Sequence, residues 1–165
     1  MIVIRTVIIG LGNPILRDDS VGVAVARQLA GRVGQTGAVE IREVYAGGLR
    51  LLDALIGFDR AIIIDAIVTK ENLPGRVHRL TVDDVQTTWN SVSVHDMNLP
   101  TALAMGAMLD LHLPDRIDLW GIEGADMESF GESLTEEVAR AVPLVVNAIA
   151  GDIAQWMECT YSIGA

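Results

Sequence analysis

Asp65 is the residue hardest to reconcile with a purely structural role. It stands alone in Ile62-Ile63-Ile64-Asp65-Ala66-Ile67-Val68, and a carboxylate in such an apolar run is costly unless it is paired, hydrogen-bonded or metal-bound. Asp19 follows the turn-forming segment Gly10-Leu11-Gly12-Asn13-Pro14 at the start of a helical pattern. There a carboxylate either caps free N–H groups or points into a crevice. His95 lies in Val94-His95-Asp96-Met97-Asn98, where a structural hydrogen bond is the ordinary use of a lone histidine. His78, in a short polar strand, and His112, near Pro114, read as surface positions. An acid after the first strand, an acid late in the third and a histidine before a later helix can converge at one sheet edge, a combination more specific than its members. Two carboxylate oxygens and an imidazole suit zinc, nickel or a similar cation, and three protein ligands leave positions open for water or substrate.

Other chemistries lack their residues. A G-x-G-x-x-G dinucleotide turn needs glycine at position 15, which is Ile15, and no G-K-[ST] phosphate loop occurs. The bland alternative for the Gly10-Leu11-Gly12 segment is a tight turn whose glycines only let the chain leave the sheet. H-E-x-x-H is absent, which excludes a zincin-type protease, and so is the G-x-S-x-G of a serine hydrolase. Cys159, near the chain end, is a weak nucleophile candidate.

The elements that must position these residues follow from periodicity. Val7-Ile8-Ile9 is a β-branched run ended by turn formers, and Val21, Ala24, Val25 and Leu29 recur at helical spacing, predicting a helix from Ser20 to Arg32. Ala38 to Tyr45 alternates like a strand, and Leu49, Leu52, Leu55 and Ile56 form a short helical stripe. Ala61 to Val68 reads as a central strand buried on both faces of a parallel sheet. Arg76 to Leu80 and Ile117 to Ile122 read as strands and Thr101 to Leu109 as a helix. A long final helix carries Val138, Ala141, Val142, Val145, Val146, Ile149, Ile153 and Trp156 on one face, with Ser133 and Glu136 as its expected capping box and Pro143 inside it. The expected fold is a three-layer α/β/α sandwich around a mainly parallel twisted sheet, with one domain over residues 1–158 and a frayed tail over 159–165. In such folds ligands bind outside the carboxyl ends of the strands.

Composition narrows the partners. The 165 residues fit one domain, and at 50 % hydrophobic content they fill a core without staples. Twenty-two acids against twelve bases leave a net charge of −10, which disfavours nucleic acid and anionic membrane surfaces. One cysteine rules out an intrachain disulfide and fits a reducing compartment, and no signal peptide or membrane span is evident, so a cytoplasmic location is expected.

The segment Gly10-Leu11-Gly12-Asn13-Pro14-Ile15-Leu16-Arg17-Asp18-Asp19-Ser20-Val21-Gly22 resembles the N-terminal signature of the hydrogenase maturation endopeptidases. The Asp65-Ala66-Ile67 segment, the Trp120-Gly121-Ile122-Glu123 strand end and the long last helix fit that family too, so the resemblance spans nearly the whole chain. It implies a metal-binding catalytic trio of Asp19, Asp65 and His95, with Asp18 and Glu43 as candidate proton acceptors. It implies removal of a short C-terminal extension from a nickel-iron hydrogenase large-subunit precursor after nickel insertion. The nickel would be carried by the substrate and would serve for recognition, while zinc or another divalent ion could fill the same ligands in a crystal. The chain departs from the family at Glu43-Val44-Tyr45-Ala46-Gly47-Gly48, where many members carry an Asp-Gly-Gly-Thr-like motif. Two alternatives remain: a nickel-dependent module that binds the precursor without cutting it, and a peptidyl-tRNA hydrolase, whose opening resembles Gly10-Leu11-Gly12-Asn13-Pro14. Asp18-Asp19 replaces the latter family's continuation, and the net charge opposes a tRNA ligand.

Overall fold

The computed structural model describes residues 4–33, 37–45, 47–84 and 99–162, with side chains as far as Trp156. It contains strands β1 (Thr6–Leu11), β2 (Val39–Val44), β3 (Arg60–Ile67), β4 (Val77–Thr81) and β5 (Arg116–Glu123). The helices are α1 (Val21–Val33), α2 (Leu49–Leu55), α3 (Leu99–Met108) and α4 (Glu136–Ser162), and a short 3-10 turn, Asp18–Ser20, runs straight into α1. The strands form one sheet in the order β2-β1-β3-β5-β4. β2, β1, β3 and β5 are mutually parallel, and β4 pairs antiparallel with β5. β3 holds the centre and is buried from Ala61 to Ile67, as its unbroken apolar run predicts. β4, by contrast, is a half-exposed edge.

Alternation along each strand divides the core into two layers. Ile8, Ile62, Ile64, Ala66, Trp120 and Ile122 pack with Val21, Val25 and Leu29 of α1 and with the apolar stripe of α4 from Val138 to Ile153. Val7, Ile9, Leu11, Ala61, Ile63, Ile117 and Leu119 pack on the opposite face with Leu51 and Leu55 of α2 and Leu99 of α3. The result is the expected three-layer sandwich. Burying the two stripes supplies the main driving force, at about 25 cal/mol per Å² of apolar surface removed from water.

The chain leaves β1 through α1 to reach β2 on one side, then returns through α2 to β3 on the other side of β1. Helices α1 and α2 lie on opposite faces. The carboxyl ends of β1 and β3 are therefore a topological switch point, where an open α/β sheet leaves a crevice.

One expectation, at the start of the last helix, changes. The capping box of Ser133 and Glu136 does not form. The Ala139 N–H bonds to the Thr135 carbonyl at 2.9 Å, which makes Thr135 the capping position, and the Thr135 hydroxyl donates elsewhere, to Asp18 Oδ2 at 2.8 Å. Helix α4 runs to Ser162. Among the described residues no helix is long and apolar enough to cross a membrane.

Candidate active site at the carboxyl ends of the central strands

Three glycines let the start of α1 lie directly on the strand ends. A Cβ on Gly22 would sit 2.3 Å from the carbonyl oxygens of both Leu11 and Ile64, and one on Gly10 would sit 2.3 Å from the Gly22 oxygen. Gly12 adopts φ +148°, a conformation that side-chain-bearing residues rarely take, and a Cβ there would fall 2.1 Å from the Asp19 oxygen. The Gly10-Leu11-Gly12 segment is thus a close-packing device as well as a turn. It presses the 3-10 turn against β3 and brings the backbone of Asp19 to the end of the strand on which Asp65 follows Ile64.

Asp19 is fully buried, and its Oδ2 accepts the Asn13 N–H at 2.9 Å. Asp65 is 5 % exposed, and its Oδ1 accepts the Ala66 N–H at 2.8 Å. Alternation puts Asp65 on the face of Ala61 and Ile63, the α2/α3 layer. His95 belongs to residues 85–98, outside the described residues; the description resumes at Leu99, which packs in that same layer. Among the described residues no three histidine, cysteine, aspartate or glutamate side chains gather as a metal-ligand cluster. Two of the three expected ligands are thus placed, both buried at one sheet edge.

The two expected proton acceptors are engaged within the protein. Asp18 is fully buried and accepts four hydrogen bonds: from the N–H groups of Ala125 and Asp126, both at 2.9 Å, from the Thr135 N–H at 2.7 Å and from the Thr135 hydroxyl at 2.8 Å. The carboxylate ties the segment after β5 to the segment after β1, and the backbone completes the seam. Arg17 and Asp18 donate their N–H groups to the Ser129 and Asp126 carbonyls, and Leu16 bridges Phe130. Glu43, at the end of β2, is held by Arg27 through two bonds of 2.9 Å and by the Tyr45 hydroxyl at 2.7 Å. The Arg27 hydrogen bonds lower the Glu43 pKa despite partial burial, and the phenol of Tyr45 is raised by the same carboxylate. Both carboxylates spend lone pairs on donors within the protein, and at Glu43 those donors disfavour protonation.

Sequence reading missed the pairing of Glu123 with His78. Glu123 is 1 % exposed at the end of β5, and its Oε1 lies 2.6 Å from His78 Nε2. Burial pushes its carboxyl up, but hydrogen bonds from His78, the Leu73 N–H and Thr69 outweigh burial and hold it below the ordinary glutamate value. His78 keeps 24 % of its side chain exposed on the edge strand while its ring meets a buried carboxylate. The available signal was the one that singled out Asp65: an acid ending an apolar strand. Around the edge, Ile15, Tyr45, Leu49 and Phe130 expose large apolar side chains on segments that follow strands.

Comparison with known proteins agrees with the fold. A family model described as hydrogenase maturation protease matches residues 23–152. A hydrogenase 2 maturation protease of Escherichia coli is 30 % identical over 125 residues, covering 75 % of this chain and 76 % of that protein. The hydrogenase expression/formation protein HupD of Bradyrhizobium diazoefficiens is 26 % identical over 92 % of this chain and 79 % of its own length. Among solved structures, the hydrogenase maturating endopeptidase HybD from E. coli superposes with a TM-score of 0.80 at 26 % identity, covering 92 % of this chain and 93 % of that one.

Proposed function

The chain belongs to the hydrogenase maturation protease family, and from that premise we propose that it removes the C-terminal extension of a nickel-iron hydrogenase large-subunit precursor once nickel has been inserted. The observation that supports this reading is the packing of the Asp19 turn onto the end of β3, the strand that carries the second buried carboxylate, Asp65. Buried carboxylates are stable as anions only when a cation or sufficient donors compensate them. A precursor that brings a metal ion adds to that compensation, and one without it forgoes the attraction. Asp19 and Asp65 offer oxygen ligands and His95 an imidazole, a donor set suited to nickel held by the substrate. Recognition is then conditional on the metal, because the binding energy that aligns the scissile bond is realised only when the ion is present.

The rest of the edge supports a polypeptide substrate. The exposed apolar side chains at Ile15, Tyr45, Leu49 and Phe130 offer the kind of surface that a protein partner covers. Asp18 acts as a structural carboxylate that fixes the turn carrying Asp19. Glu43 fixes Tyr45 at the mouth of the edge beside Gly12, whose N–H bonds to the Val44 carbonyl at 3.1 Å.

The test is to incubate the protein with nickel-loaded and nickel-free precursor and weigh the products. Shortening of the loaded precursor alone is the expected result. Equal shortening of both sinks the nickel-dependent part, and shortening of neither, with binding retained, identifies a non-cleaving module.

A further inference from the structure

Residue 123 clamps the whole β3–β4 connection, residues 68–76. Its Oε2 accepts the Thr69 hydroxyl at 2.9 Å and the Leu73 N–H at 2.8 Å, and its Oε1 meets His78 Nε2 at 2.6 Å. Its backbone adds two more bonds, from its N–H to the Arg76 carbonyl at 2.9 Å and from the Gly75 N–H to its own carbonyl at 2.8 Å. In register Glu123 faces Ile67, and Gly121 faces both Asp65 on β3 and His78 on β4. Asp65, Gly121 and His78 thus form one row across the sheet, on one face, with Glu123 one pleat further along.

A surface connection between two strands needs no buried carboxylate. Removing an ion from water is costly, and an apolar filler would serve stability as well or better. A carboxylate with three donors instead supplies directional bonds, and these specify one shape for a short polar segment. That segment starts at Val68, directly after the strand that carries Asp65, and exposes Val68 and Leu73. We propose that Glu123 is a positioning residue, holding the β3–β4 connection as a fixed wall beside Asp65 against which the precursor polypeptide is oriented. The role rests on the protease reading above and lies in substrate binding, not in the bond-breaking step.

Thr69→Val and Glu123→Ala remove the clamp in different degrees, and Thr69→Val leaves the buried charge with two of its donors. Glu123→Gln keeps the shape and two acceptor positions. Each variant is compared with the wild type by steady-state cleavage of nickel-loaded precursor and by hydrogen exchange at the Leu73 amide, in the intact protein. The expected result is exchange about tenfold faster in Thr69→Val, matching the loss of a hydrogen bond to a charged acceptor. KM should rise by a similar factor in Thr69→Val and Glu123→Ala with kcat within about twofold, and Glu123→Gln should recover most of the KM. Unchanged exchange overturns the clamp. Faster exchange with unchanged KM, or a fall in kcat alone, overturns the orienting role. A wild-type chain that leaves the precursor uncut removes the protease reading and the orienting role together, while the exchange result still decides the clamp.

Discussion

Asp18 and Asp19 are adjacent, equally buried and chemically identical, yet they do different work. Asp18 faces four donors from the segments before and at the start of α4, whereas Asp19 Oδ2 faces the Asn13 N–H within its own loop. Either residue fits a helix-start acid in sequence, so the pattern showed that acids belong there and could not say which one the distant segment would claim. Asp18→Ala leaves buried N–H groups without acceptors, and each such loss costs about 1 to 3 kcal/mol. We expect urea denaturation to show at least about 3 kcal/mol of lost stability; a loss below about 1 kcal/mol contradicts the assigned role. Glu123 makes a pH prediction. Its carboxyl is held below the ordinary value of 4.5, so the stability it contributes is present above that value and is lost as pH falls through the lower folded-state value. Glu123→Gln should therefore flatten the fall in thermal stability between neutral and acid pH, and an unchanged slope would show that Glu123 is not among the groups responsible.

At the scale of elements, the helices and central strands were legible because their burial has a period. The one-sided stripe of α4 and the two-sided apolar run of β3 each admit one reading. The antiparallel pairing of β4 was not legible, since five residues with a mixed burial pattern fix neither direction nor neighbour. Nor was the capping residue of α4, because Ser133, Thr135 and Glu136 offer competing caps and a contact with Asp18 more than a hundred residues away decides among them. The glycines at the start of α1 give a sharp test of the element packing. A methyl group on Gly22 meets two backbone oxygens at 2.3 Å, and backbone cannot yield as a side chain does. Gly22→Ala should cost about 1 to 3 kcal/mol, the range for overpacking, and should lower cleavage further by lifting the Asp19 turn off β3. A variant as stable and as active as the wild type means that the helix start does not bear on the strand ends.

For the whole molecule, the doubly wound order β2-β1-β3-β5-β4 puts a topological switch between β1 and β3, and of the two acids singled out by their sequence context Asp19 is buried in the turn after β1 and Asp65 towards the end of β3. That address was legible in the alternation of strands and helices along the sequence, since carboxyl strand ends are where this fold binds ligands. The partner was legible only through the family resemblance, because charge and composition exclude classes of ligand without naming one. Whether the edge of Asp19 and Asp65 acts on a metal-bearing precursor is decided best by Asp65→Asn, since the amide keeps the shape and removes the charge. The measurement is the mass of nickel-loaded large-subunit precursor after incubation with the wild type and with Asp65→Asn, alongside thermal unfolding of both proteins. We expect a shortened precursor with the wild type, an unshortened one with the variant and closely similar unfolding temperatures; cleavage by Asp65→Asn at the wild-type rate would contradict a role for this edge in the reaction.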